Sequence, residues 1–150
     1  MAYDKSKGLV AIATSYSGGN YGYTKLDGYI KAEGLTIIPN QMQDLDSYVN
    51  STGKLRRNVL SHTRSKIDAN TPYMSEAKFN KLLSNITKAY SLSDGKCSKK
   101  ERKVRVRYYN QYTQDYSYGY FYIPDIEFQF GGTWGGEVHY LPTRIGFIEY

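Results

Sequence analysis

Lys103-Val104-Arg105-Val106-Arg107-Tyr108-Tyr109-Asn110-Gln111-Tyr112-Thr113-Gln114-Asp115-Tyr116-Ser117-Tyr118-Gly119-Tyr120-Phe121-Tyr122-Ile123-Pro124-Asp125-Ile126-Glu127-Phe128-Gln129-Phe130 is the stretch that decides how this chain folds. Val104, Val106 and Tyr108 alternate with Arg105, Arg107 and Tyr109, residues 114–119 interrupt with polar side chains and a glycine, and a second aromatic run occupies residues 120–130. Alternation of β-branched and aromatic residues around such a break predicts two long antiparallel strands. In the second run Phe121 and Ile123 share one parity while Ile126, Phe128 and Phe130 share the other. The apolar face therefore continues only across one extra residue, and Pro124-Asp125 is the predicted bulge, since proline donates nothing to a ladder. A bent aromatic hairpin of this kind needs a second layer to cover it.

At 150 residues the chain suffices for one domain, residues 1–150, with its own core. It carries 17 Tyr and 5 Phe against 3 Met and 1 Trp, a composition suited to strands and to half-wet surfaces that meet other protein. Net charge is +6 and the pI is about 9.2, which permits an acidic protein, nucleic acid or an anionic membrane as partner without choosing among them. Cys97 is the sole cysteine, so neither an intrachain disulfide nor a cysteine zinc site is expected, and a reducing compartment is. The apolar run at residues 9–13 is too short for a secretory signal or a membrane span. A soluble protein made in the cytoplasm is expected.

In chain order, residues 1–28 form a Gly/Tyr-rich segment: a short buried strand over residues 8–14, then a loop over residues 15–23 whose tyrosines offer low-entropy contact area. Tyr29 and Ile30, then Leu35, Ile37 and Ile38, suggest a strand or bent pair; residues 44–50 are a weaker strand candidate, and residues 55–68 alternate, with the character of a strand near an edge. The spacing of Phe79, Leu82, Leu83, Ile86 and Tyr90 predicts a helix over residues 75–90 with Ser75 as its N-cap and Met74 and Phe79 as a hydrophobic staple. Gly131 to Gly136 read as a turn carrying Trp134, and residues 138–141 and 144–150 as closing strands, the last inside the sheet.

Chemistry is sparse. His62 and His139 lack partners at metal spacing, and the glycine clusters match neither a P-loop nor a dinucleotide fingerprint. Cys97 sits in a basic loop that would somewhat favour its thiolate, but no base or orienting group accompanies it. The sequons at Asn50 and Asn85 are discounted for want of a secretion signal. No enzyme activity, cofactor, metal, membrane or small-molecule substrate is expected.

The runs Gly53 to Val59, Ser65 to Asp68, Ser75 to Ile86, Val104 to Tyr109, Gly119 to Asp125 and Ile145 to Tyr150 together resemble small structural tail proteins of long-tailed bacteriophages. The layout is similar to the N-terminal domain of distal tail proteins and to tail-tube proteins, over about residues 50–150. The resemblance implies a mainly β, α+β fold, a tail-tube-like β-sandwich or barrel with one flanking helix. It also implies a virion tail location, at the tail end, baseplate or tube, and copies arranged in a ring, commonly hexameric, around the DNA channel. Partners are then other copies, other tail proteins and passing DNA. The Gly/Tyr-rich beginning departs from that pattern. Independently, more tyrosines are present than one small domain hides, and Tyr16, Tyr21, Tyr23, Tyr112, Tyr116, Tyr118 and Trp134 are candidate inter-subunit contacts. The second reading is a nucleic-acid-binding module using Lys96, Lys99, Lys100, Arg102, Lys103, Arg105 and Arg107, seven basic residues in twelve positions opposed only by Glu101. Most such runs are simply solvated.

Overall fold

In the computed structural model, which describes residues 3–42, 48–57 and 63–150, the strand β8 (Lys103–Asn110) pairs along its whole length with β9 (Asp115–Tyr122). The turn between them falls at residues 111–114, earlier than the sequence suggests, because Tyr116, Tyr118, Tyr120 and Tyr122 keep a period of two opposite Tyr109, Arg107, Arg105 and Lys103. Gly119 is closely packed in the strand: a Cβ there would lie 2.6 Å from Glu149 Oε2 and 3.1 Å from Phe121 Cε1, so both side chains would have to shift. The expected bulge at Pro124-Asp125 is absent. The strand ends at Tyr122, residues 123–129 belong to no strand, and β10 (Phe130–Trp134) enters a different sheet, so the parity switch marks a change of sheet.

Around this hairpin an antiparallel, open sheet of seven strands forms in the order β2-β1-β8-β9-β12-β6-β3. Its other members are β1 (Val10–Ser17), β2 (Asn20–Lys25), β3 (Thr36–Gln41), β6 (Arg64–Asn70) and β12 (Arg144–Glu149). The class is mainly β and α+β as expected, and the sheet does not close into a barrel. β12 lies inside the sheet, between β9 and β6, again as expected. Residues 15–23 are not a loop: β1 and β2 make a hairpin turned by Gly18 and Gly19, whose φ of +58° and +85° suit the two-residue turn that matches strand twist. Likewise Trp134 is in a strand, since β10 pairs with β11 (Glu137–Tyr140) through a turn at Gly135-Gly136 alone. β7 (Met74–Ser75) completes this three-stranded sheet. Tyr29 and Ile30 belong to a turn closed by N–H groups donating to Leu26 O, with Leu26 and Ile30 buried at the edge of the core.

The predicted strand at residues 44–50 survives as β4 (Tyr48–Val49), paired with β5 (Leu55–Arg56); residues 43–47 and 58–62, including His62, lie outside the described residues. In β6 the inward residues are Ser65, Ile67 and Ala69, the parity read from the sequence.

Helix α1 (Glu76–Tyr90) starts after Ser75, which has N-cap backbone geometry but makes no side-chain cap bond; Glu76 Oε2 instead accepts from Val138 N–H of β11. Phe79, Leu82, Ile86 and Ala89 are buried on its inner stripe. Leu82, Ile86 and Ala89 meet Val10, Ile12, Val104, Val106, Tyr108, Phe121, Ile145 and Phe147 from one face of the large sheet in a single cluster, while Phe79 packs on Phe128 and Tyr140. The staple residues Met74 and Phe79 are both buried. Phe121→Ala should lower unfolding free energy by about 3–5 kcal/mol in urea titration, because Phe121 is fully buried beside Tyr108. Tyr112→Ala, on a side chain 80% exposed, should stay within about 0.5 kcal/mol.

Candidate functional site

The face of the sheet turned away from α1 is built by the same register. Arg105 and Arg107 alternate with the buried Val104 and Val106, and the tyrosines of β9 stand directly across from them. From the other side β2 brings Tyr21 and Tyr23, while next to the arginines β1 contributes Ala11 and Ala13, paired with Arg107 and Tyr23 and fully covered. Small methyls at the floor leave room for guanidinium groups above them. Arg105 Cζ lies 4.6 Å from the Tyr120 ring centre and 5.6 Å from that of Tyr21. Arg107 Cζ lies 4.9 Å from Tyr23 and 5.9 Å from Tyr116. Lys103 Nζ is 4.5 Å from the Tyr150 ring and Lys96 Nζ is 5.2 Å from that of Tyr120. Each such contact is worth about 0.5–2 kcal/mol, more as it is desolvated. The Nε of Arg105 and of Arg107 is enclosed without a hydrogen-bond acceptor, so ring faces stand where acceptors would.

One polar latch holds the layer to the chain before β8. Tyr21 Oη donates to Asp94 Oδ2 at 2.7 Å and shares a 2.8 Å bond with Tyr120 Oη. Burial raises the Tyr21 phenol well above its ordinary value, aided by its bonds to Tyr120 and Asp94, so it stays a donor. For Asp94 burial opposes ionisation, but the hydrogen bonds from Tyr21 and from Lys96 and Cys97 N–H outweigh it and hold the carboxyl at about 2. Cys97 does not favour its thiolate: burial first, then the Asp94 carboxylate, push the thiol up to about 12.

The structure gathers Tyr21, Tyr23, Tyr116, Tyr118, Lys96, Lys103, Arg105 and Arg107 on this one face, with the Tyr16 ring tilted against that of Tyr21 at 4.9 Å. It does not bring in the rest. Tyr112 stands alone at the β8–β9 turn, Lys99 and Lys100 are exposed in a turn, and Arg102, at φ +52°, pairs with Asp125. The linear basic run is thus not one patch, and Arg105 and Arg107 are half-buried rather than solvated. Nothing in the sequence pattern singles out Lys7, Asp94 or Tyr150, which join the face through tertiary contact; Tyr120 was legible as a member of the period-two tyrosine series.

Trp134 belongs to a second surface. It stacks on His139 at 3.8 Å and on Tyr73 at 6.3 Å, and Tyr73, Phe128, Phe130, Trp134 and Leu141 are between 38% and 64% exposed. Two grooves flank residues 123–129, one of about 510 Å³ against β6 and β12 and one of about 450 Å³ against α1. Among the described residues no three His, Cys, Asp or Glu side chains are placed to hold a metal, and no helix is long and apolar enough to cross a membrane.

An open antiparallel sheet, apolar under one helix and cation–aromatic on the other face, defines a mainly β domain with large aromatic surfaces. The chain belongs to the family of unknown function DUF6711, whose profile matches residues 20–150. No curated protein matches it. Among solved structures, a chain from the virion of a native gene transfer agent (GTA) particle is similar, with 12% identity, a TM-score of 0.44, and coverage of 99% of this chain and 95% of that one.

The Asp94 latch makes stability acid-sensitive in a defined window. A depressed carboxyl contributes above its unfolded value near 3.9 and loses that contribution as pH falls through the folded value. Thermal melts should therefore show a drop between pH about 4 and about 2 that Asp94→Asn flattens.

Proposed function

We propose that the protein is a non-enzymatic structural component of a bacteriophage-like virion tail, made in the host cytoplasm and built into the tail end, baseplate or tube. Copies assemble head to tail into a ring, hexameric by the family resemblance, around the channel through which DNA passes. The observation that carries this reading is the exposed aromatic surface at Tyr73, Phe128, Phe130, Trp134 and Leu141. Contiguous apolar surface of that kind, set beside an open sheet, suits contact with other protein. The two sheet edges, β2 and β3, which have no further strand beside them among the described residues, add main-chain donors and acceptors for neighbours. The resemblance of the sequence to small tail proteins supplies the setting.

Light scattering and electron microscopy of purified protein test it. Rings with a mass that is a multiple of 17.2 kDa are expected, and Phe130→Asp, on a side chain 64% exposed, should shift them toward monomer while leaving the melt in place. A strictly monomeric protein at high concentration, absent from purified particles, would sink the reading.

A second reading rests on the cation–aromatic face, which interleaves Lys96, Lys103, Arg105 and Arg107 with tyrosines as single-strand binding grooves do. If it binds nucleic acid, affinity for single-stranded DNA falls steeply with salt. Lys103→Gln and Lys96→Gln should each lower the log–log salt slope by about 0.7, whereas Lys99→Gln, outside the face, leaves it unchanged. Undetectable or salt-insensitive binding to single-stranded and duplex DNA removes this reading.

A further inference from the structure

Two features of the chain lack a partner among the described residues and match each other. The first is the β4–β5 hairpin. Tyr48 pairs with Arg56 and Val49 with Leu55, and the turn is fixed by Asn50 Oδ1, which accepts from Thr52 N–H at 3.1 Å and Lys54 N–H at 3.0 Å. Yet Tyr48, Val49 and Leu55 are 59%, 63% and 58% exposed. A two-stranded hairpin is marginal in water unless an apolar face is covered. Its charged residues, Lys54, Arg56 and Arg57, are all basic.

The second feature is the strip between β9 and β10. Ile123 N–H donates to Arg102 O and Gln129 O accepts from Leu141 N–H, but among the described residues no hydrogen bond involves the backbone of residues 124–128. Ile126 and Phe128 border the groove against α1, Glu127 borders the groove against β6 and β12, and Asp125 borders both. Asp68 matches Arg144 and Lys66, and Asp125 matches Arg102, which leaves Glu127 without a cation among the described residues. Among the described residues this backbone has unpaired donors and acceptors, with an apolar border and an acidic one, the requirements for strand addition.

We propose that the β4–β5 hairpin of one copy docks on residues 124–128 of a second copy, Val49 and Leu55 meeting Ile126 and Phe128, and Arg56 or Lys54 meeting Glu127. The inference rests on the assembly reading above and names its contact. A second copy is the occupant because one chain carries both halves, a basic apolar donor and an acidic apolar acceptor. Being different patches, they make the contact heterologous, and such a contact propagates until it closes into a ring or extends as a filament.

Complementary lesions test it on the full chain. V49D/L55D removes the donor and E127K/F128S the acceptor; circular dichroism melts confirm that both remain folded. Each alone should need at least about tenfold more protein to assemble than wild type, since about 1.4 kcal/mol of lost apolar contact is tenfold. Mixed one to one, they should form a heterodimer that does not grow, because each pair retains one intact donor and one intact acceptor. Folded variants that assemble like wild type, or a mixture that gains nothing over its components, would overturn the contact while the assembly reading stands. A wild-type protein that stays monomeric overturns both.

Discussion

The antiparallel register of β8 on β9 is the constraint on which the rest depends. With Val106 across from Gly119 and Arg107 across from Tyr118, every odd residue of β8 faces the tyrosines and every even one faces α1. Because side chains alternate strictly, a slip of one residue would carry Arg105 and Arg107 into the core and Val104 and Val106 into water. The cost of burying two unpaired guanidinium groups is several kcal/mol each, far above what any single strand pair contributes.

A buried polar seam pins that register from inside. Ser65 N–H donates to Glu149 Oε1 at 2.8 Å, Ser65 Oγ bonds Tyr108 Oη at 2.8 Å, and Asn110 Nδ2 donates to Ser117 Oγ at 3.0 Å. These bonds tie β6, β12, β8 and β9 at one end of the core. Burial raises the Tyr108 phenol above its ordinary value, the Ser65 bond counters it and the Glu149 carboxylate adds to it, so Tyr108 remains a neutral hydroxyl there. Unlike apolar packing, which tolerates small shifts, these bonds are satisfied in one alignment only, and an unsatisfied buried partner costs about 1–3 kcal/mol.

What the sequence made legible follows from where periodicity dominates. Helix α1 announces itself by Phe79, Leu82 and Ile86, and β8 by strict alternation, because one face of each is buried against a continuous apolar partner. The β1–β2 hairpin was hidden because the apolar run stops at Ala13 and the register shifts between Ala13 and Ser15, so Tyr16, Tyr21 and Tyr23 do not continue the alternation set by Val10 and Ile12; the Gly18-Gly19 pair was the signal that remained. The parity switch after Ile123 was visible but ambiguous between a bulge and a departure from the sheet, and the pairing of Phe130 with Tyr140 in the smaller sheet distinguishes the two. The candidate face was half legible. Its strand residues repeat in the sequence, whereas Lys7, Asp94 and Tyr150 reach it from chain segments remote from one another.

The cation–aromatic layer changes what the net charge of +6 means. A solvated lysine run offers its charge to any anion, but guanidinium groups held against ring faces have already given up part of their hydration and sit in a fixed geometry. Such groups lose little entropy when a flat or anionic partner arrives, as preorganised contacts generally do. They also attract less at long range than an open patch, since the rings and Asp94 offset part of their field. A face of that kind discriminates by shape before it discriminates by charge. If the proposed role as an assembling subunit holds, that property would favour a particular neighbour over indiscriminate polyanion binding, which would compete with assembly.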